Sequence, residues 1–120
     1  PTHRVDPRRD RIAVDGRAVR PAARLYLALH KPRGVVTSRV EERGAPTVFD
    51  VVAAALGAPA DRADGGDARA HLSAVGRLDK ASEGLLLLTN DTRWAARIAD
   101  PATHVPKVYH VQVDRVPDDA

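Results

Sequence analysis

Four leucines in succession, Leu85 to Leu88, stand between Gly84 and the turn formers Thr89, Asn90 and Asp91. A short continuous apolar run bounded by turn signals reads as a strand buried on both faces. Other parts of the chain must therefore cover it. Its approach, Leu72, Ala74 and Val75, is apolar too, and then Gly76 opens a loop that carries Arg77, Leu78 and Asp79. A guanidinium and a carboxylate thus sit in the loop leading into the most apolar strand. Rigid neighbours can hold a reactive group in place there.

Arg77 and Asp79 are two residues apart, and in a turn their side chains could converge. An Arg beside an Asp keeps the carboxylate ionised and oriented, and its planar fork can also grip phosphate. An ionised carboxylate in a partly buried pocket can serve as nucleophile, base or metal ligand. From spacing alone a second reading stands beside these, a loop ion pair that caps the following strand.

Around this stretch the chain reads as short strands and two helices. Residues 1–10 are polar and contain prolines, and they are expected to be extended. Ile12 and Val14 alternate, Asp15-Gly16 follows, and Ala18 and Val19 return, which predicts a hairpin with a type I′ turn. Arg24 to His30 alternates, with Leu25, Leu27 and Leu29 on one face and Tyr26, Ala28 and His30 on the other, so it reads as a strand. Lys31-Pro32-Arg33-Gly34 stops it, and residues 34–38 begin a second extended piece. Lys31 and Arg33 on this turn could meet phosphate or simply be solvated. Pro46 to Leu56 is expected to be a helix, with Phe49, Val52, Ala53 and Leu56 on one face and Gly57 as its stop. Residues 58–70 read as a loop whose Asp61, Asp64 and Asp67 lack the Glu that would close a calcium loop.

After the leucine run, Asp91 caps a second helix, 92–99, with Trp94, Ala95, Ile98 and Ala99 on its apolar face. Trp94 is expected to pack rather than to stack on a base. Asp100-Pro101 ends that helix. Lys107 to Val113 alternates, which predicts a strand over 107–114 with Tyr109, Val111 and Val113 facing inward. The fold class is α+β, with antiparallel strands at about 25–30, 34–38, 72–76, 84–89 and 107–114.

Composition narrows the function classes. The chain of 120 residues has no Cys, which excludes disulfides and cysteine zinc sites. No His or Cys partner stands at metal-ligand spacing from His30, which reads as structural. No apolar run approaches a membrane span. Residues 1–43 hold 11 Lys/Arg against 5 Asp/Glu, whereas residues 44–120 hold 8 against 11. A basic front half suits a polyanion partner, and solvated arginines are the equal alternative. Aromatic residues are few, so Tyr26 and Tyr109 are the scarce stacking surfaces. The chain opens at Pro1 without an initiator Met and is expected to be part of a longer protein.

The string Gly76-Arg77-Leu78-Asp79, two further residues, Ser82, one more, then Gly84, Leu85 to Leu88, Thr89, Asn90 and Asp91 resembles the signature of the ribosomal-RNA pseudouridine synthase family. The His30-Lys31-Pro32-Arg33-Gly34 element is similar to the family's Asn-Lys-Pro-x-Gly, with His in place of Asn. Lys107-Val108-Tyr109 resembles its Lys-x-Tyr. The resemblance implies a mostly antiparallel synthase-like sheet with flanking helices, incomplete at its C-terminal end. It implies that residues 1–23 are the tail of a small RNA-binding domain. Residues 24–120 would be the front of the catalytic domain.

It further implies that Asp79 is the catalytic aspartate and that Tyr109 stacks on the target base. Arg77 would pair with Asp79 and help open the RNA, with Lys31, Arg33 and Lys107 as further RNA contacts. No metal and no cofactor are implied. The base stays in the product and is reattached through carbon. The uridine must leave its stack, a carboxylate must reach C1′ of the ribose or C6 of the base, and the freed uracil must turn in a pocket. The implied partner is ribosomal RNA or a ribosomal precursor, in the cytoplasm, with no membrane. The wording from Pro106 to Val113, followed by Val116-Pro117, leans toward the large-subunit branch.

Two alternatives stay open. One is a non-catalytic RNA-binding fragment on the same scaffold, motivated by the basic front half and the short C-terminal part. The other is an unrelated hydrolase using Asp79, which lacks a second carboxylate, a Ser or Cys with a His, or a metal site. An incomplete sheet also leaves edges exposed, so a homodimer or strand exchange of this piece is expected.

Overall fold

The leucine run forms the middle strand of a three-stranded antiparallel sheet in a computed structural model that describes residues 5–6, 9–19, 23–39, 44–57, 69 and 71–115. The elements in order are a small hairpin, β1 (Ala13–Val14) and β2 (Arg17–Ala18), then β3 (Tyr26–Lys31), α1 (Val48–Leu56), β4 (Ser73–Val75), β5 (Gly84–Thr89) and α2 (Thr92–Ala99). A short 3-10 turn, Pro101–Thr103, follows α2. The sheet order is β3-β5-β4. The fold class is α+β, as the residue pattern and the resemblance imply. Among the described residues no helix is long and apolar enough to cross a membrane.

Local signals explain most of these elements. In the β1–β2 turn, Asp15 has φ 49° and Gly16 φ 77°, the two left-handed positions that a type I′ turn demands. Helix α1 begins with a reciprocal cap. The Thr47 side chain accepts from the Asp50 N–H, and the Asp50 carboxylate accepts from the Thr47 N–H at 2.7 Å. Helix α2 begins at Asp91, whose Oδ1 accepts from the N–H groups of Arg93 and Trp94, both at 3.1 Å. Its Oδ2 also accepts from the Tyr26 hydroxyl at 2.8 Å and pairs with Arg24 at 3.0 Å. Trp94 packs edge-on against Tyr26, with ring centroids 5.1 Å apart. Trp94 is thus a packing residue, as expected, and α2 is stapled to β3 through Tyr26.

The core gathers Val35, Val48, Val52, Leu72, Leu86 and Leu88, with Leu25, just before β3, and Leu27 and Leu29 of β3 packed against it. Three expectations give way here. First, β5 is buried on one face only. Leu86 and Leu88 are 3% and 0% exposed, whereas Leu85 is 68% exposed. The reason is that α1 and Val35 join the cluster on one side, and no described element covers Leu85. Second, α1 buries Val48 and Val52 and leaves Ala53 and Leu56 exposed. A parallel bridge between Thr47 and Val36 fixes the start of the helix and hence its rotation. Third, residues 34–38 contribute only that bridge, not a strand.

A further correction concerns the C-terminal segment. Residues 104–115 form no strand, and all are exposed, Tyr109 at 64% and Val108 and Val111 at 77% each. The alternation is real, but a strand needs a neighbour's backbone, and no described strand pairs with this one. Tyr109 therefore does not face a core. The 58–70 loop, except Arg69, and Val116-Pro117 lie outside the described residues, as do Glu41 to Arg43 and residues 1–4 and 7–8.

Candidate functional site

Antiparallel register brings two distant turns together. Lys31, at the end of β3, pairs with Gly84, at the start of β5. The turn after β3 and the loop before β5, residues 76–83, therefore lie side by side at one end of the sheet. Gly76 releases the chain from β4 with φ 83°, a conformation that a side chain would strain.

The loop is tied down through its backbone at every second residue. The Leu78 N–H donates to Thr37 Oγ1 at 3.3 Å, and the same hydroxyl donates to the Leu78 carbonyl at 2.8 Å. The Gly34 N–H donates to the Lys80 carbonyl at 2.7 Å. Lys31 Nζ donates to the Ser82 carbonyl at 2.7 Å and to its own neighbour Pro32 at 3.1 Å. Inside the loop the Ser82 N–H donates to the Asp79 carbonyl at 3.0 Å. Leu78 packs against the core, and Arg77 and Asp79 on either side of it are exposed. A carboxylate thus stands in solvent on a backbone that is anchored on both sides of it.

The charges differ from expectation. No ion pair joins Arg77 to Asp79 among the described residues. Asp79 acts by its charge on Lys31. Lys31 is 0% exposed. Burial lowers the Lys31 pKa, and the negative charge of Asp79 opposes that lowering. Lys31 is therefore a buried tie beneath the loop, with its ammonium on the Ser82 and Pro32 carbonyls. The sequence could not reveal this, because the two carbonyls that hold the ammonium become its neighbours only through the β3–β5 register.

The remaining candidates are spread out. Arg33 is exposed and pairs loosely with Glu83 at 3.5 Å. Lys107 is exposed, and Tyr109 makes no ring contact or hydrogen bond among the described residues. His30 is exposed on the face of β3 opposite the leucines. The residue that sequence reasoning missed is Thr37. Its signal was a hydroxyl directly after two valines, Val35 and Val36, that the structure buries at 5% and 6% exposure.

Comparison with known proteins bears on this geometry. A family model described as RNA pseudouridylate synthase matches residues 25–120. An uncharacterized RNA pseudouridine synthase of Mycobacterium tuberculosis is 41% identical over 107 residues, covering 88% of this chain and 38% of that protein. The ribosomal large subunit pseudouridine synthase B of Bacillus subtilis is 31% identical over 108 residues, covering 90% and 39%. A crystal structure of a pseudouridylate synthase aligns with a TM-score of 0.49 at 27% identity, over 85% of this chain and 38% of the other. The chain spans about two fifths of the length of these relatives. Because the family model takes in both turns of the site, from β3 through the Asp79 loop to the segment bearing Tyr109, the chain belongs to the RNA pseudouridylate synthase family.

Proposed function

We propose that the protein containing this chain isomerises uridine to pseudouridine in ribosomal RNA, with Asp79 as the nucleophile. The observation that carries this reading is the solvent-facing Asp79 on a loop anchored at Leu78, Lys80 and Ser82. A mobile carboxylate would seldom meet its target in line, whereas an anchored one starts near the reactive geometry. The carboxylate bonds to an extruded uridine, the N1–C1′ bond breaks, and the uracil turns; C5 then joins C1′, the bond to the carboxylate is released, the C5 proton leaves to solvent and N1 takes up a proton. Arg77 is exposed beside Asp79 and is suited to fill the gap in the RNA or grip phosphate. Arg33 and Lys107 add exposed positive charge. Tyr109 supplies a stacking face for the base. Large-subunit ribosomal RNA is the favoured substrate, supported by the name of the Bacillus subtilis relative.

In the same reading residues 1–23 end a small RNA-binding domain, residues 24–120 begin the catalytic one, and the protein works in the cytoplasm. The test is Asp79→Ala in the full-length protein, with pseudouridine mapped in ribosomal RNA by carbodiimide primer extension. Loss of the modification is expected, and its retention overturns the role of Asp79.

For these 120 residues alone a second reading is RNA binding without turnover. It is favoured by Tyr109 standing exposed outside the sheet. It predicts salt-sensitive RNA binding with no tritium release from uridine labelled at C5. Measurable release by this piece rejects it.

A further inference from the structure

We infer that Thr37 is a positioning residue for Asp79, acting through the backbone of Leu78; this rests on the reading of Asp79 as the nucleophile. The Asp79 side chain has no hydrogen-bond partner among the described residues, so its backbone must fix its place. Leu78 N–H belongs to the peptide plane between Arg77 and Leu78, and Leu78 C=O to the plane between Leu78 and Asp79. One hydroxyl holds both, accepting from the first at 3.3 Å and donating to the second at 2.8 Å. The second plane carries the Asp79 nitrogen, so the side chain springs from a fixed base. Only a group that is donor and acceptor together can do this at one atom.

Thr37 is itself well held. Val35 and Val36 before it are buried. The Val36 N–H donates to the Pro46 carbonyl at 3.0 Å, and the Val48 N–H donates to the Val36 carbonyl at 2.9 Å. The chain of contacts therefore runs from the start of α1, through Val36 and Thr37, to Leu78 and the carboxylate. A displacement of about 1 Å at a reacting group can cost about 100-fold in rate.

The experiment compares Thr37→Val and Thr37→Ser in the full-length protein, in single-turnover pseudouridine formation well below each variant's melting temperature. Thr37→Val, which keeps the shape and loses the hydroxyl, is expected to lower the rate constant by about 10- to 100-fold. The reaction amplitude and RNA affinity should stay near wild type. Thr37→Ser is expected to restore most of the rate. A merely structural role would instead lower the amplitude and leave the rate constant unchanged, which overturns the inference. So does a Thr37→Ser variant as slow as Thr37→Val.

Should Thr37→Val not fold, amide exchange of Leu78 decides. Protection in wild type and Thr37→Ser supports the tie, and an unprotected Leu78 amide in wild type overturns it. Full activity of Asp79→Ala, by contrast, removes the underlying reading whatever the Thr37 variants do.

Discussion

Lys31 and Ser82, 51 residues apart in sequence, are joined by a 2.7 Å hydrogen bond from a buried ammonium to a backbone carbonyl. The bond ties the end of β3 to the far side of the Asp79 loop. Removing it leaves the Ser82 carbonyl without this donor, and an unmet buried acceptor costs about 1–3 kcal/mol. Lys31→Met is therefore expected to destabilise the fold by that amount in urea unfolding. A variant as stable as wild type would show that the loop is held without this tie. Asp79→Asn provides a second check. Loss of the opposing charge leaves burial less opposed, so the Lys31 pKa should fall further, readable from its side-chain nitrogen resonance.

Asp91 links α2, β3 and Arg24, and its protonation should govern stability in acid. The backbone N–H of Trp94 is the largest influence holding its carboxyl below the usual range, followed by the Tyr26 hydroxyl, while burial opposes them. A carboxylate with a depressed folded-state pKa stabilises the fold above its unfolded value, and that stability is lost as pH falls through the folded value. Asp91→Asn keeps a capping oxygen and removes the charge. Its deficit relative to wild type should be present at pH 7 and should close as wild-type Asp91 becomes protonated in acid. A deficit that persists unchanged at low pH would assign the effect to geometry rather than charge.

What could be read from the sequence follows the range of each signal. Asp15-Gly16, Asp91 and the leucine run act through nearest neighbours, and the hairpin, the helix cap and the strand all formed where expected. The inward face of β3 was also legible, because alternation is a local property. Long-range consequences were not. The capping box at Thr47 and Asp50 lies in the sequence, but the rotation of α1 also depends on the bridge to Val36. Lys31 reads as a surface cation until the β3–β5 register places it under a loop. The spacing let Arg77 and Asp79 converge and the resemblance implied that they pair, yet no ion pair joins them among the described residues. Leu78 turns into the core between them, and both remain exposed without an ion pair.

Thr47 offers a test of how far the helix start supports the site. It is 3% exposed, caps α1 and bridges to Val36, the residue before Thr37. Loss of a Thr cap costs about 1 kcal/mol. Thr47→Ala should lower stability by about that much and increase amide exchange at Val48 and Val36 together. Faster exchange at Val48 alone would mean that the cap and the bridge are independent.

Tyr109 can be tested by separating its ring from its hydroxyl in the full-length protein. Stacking of a base on an aromatic side chain is worth about 1–3 kcal/mol by alanine substitution, or about 5- to 150-fold in an equilibrium or rate. Tyr109→Ala should lose activity in that range, while Tyr109→Phe should retain most of it. If Tyr109→Phe falls as far as Tyr109→Ala, the hydroxyl rather than the ring face is the working part.

The same segment makes a prediction about these 120 residues prepared alone. Val105, Val108, Tyr109, Val111 and Val113 are between 40% and 77% exposed on an extended stretch with no described strand beside it. Meanwhile β3 and β4 each pair on one side only among the described residues. Unpaired backbone and apolar side chains on an extended segment form a template for another chain's edge. Association into a dimer, by edge pairing or strand exchange, is therefore expected to grow with concentration in light scattering. Val111→Lys places a charge within that segment and should shift the mass toward a single chain, with little change in the melting of the β3-β5-β4 sheet. A mass that stays monomeric at high concentration in the unsubstituted chain would show that the segment finds its cover within its own molecule.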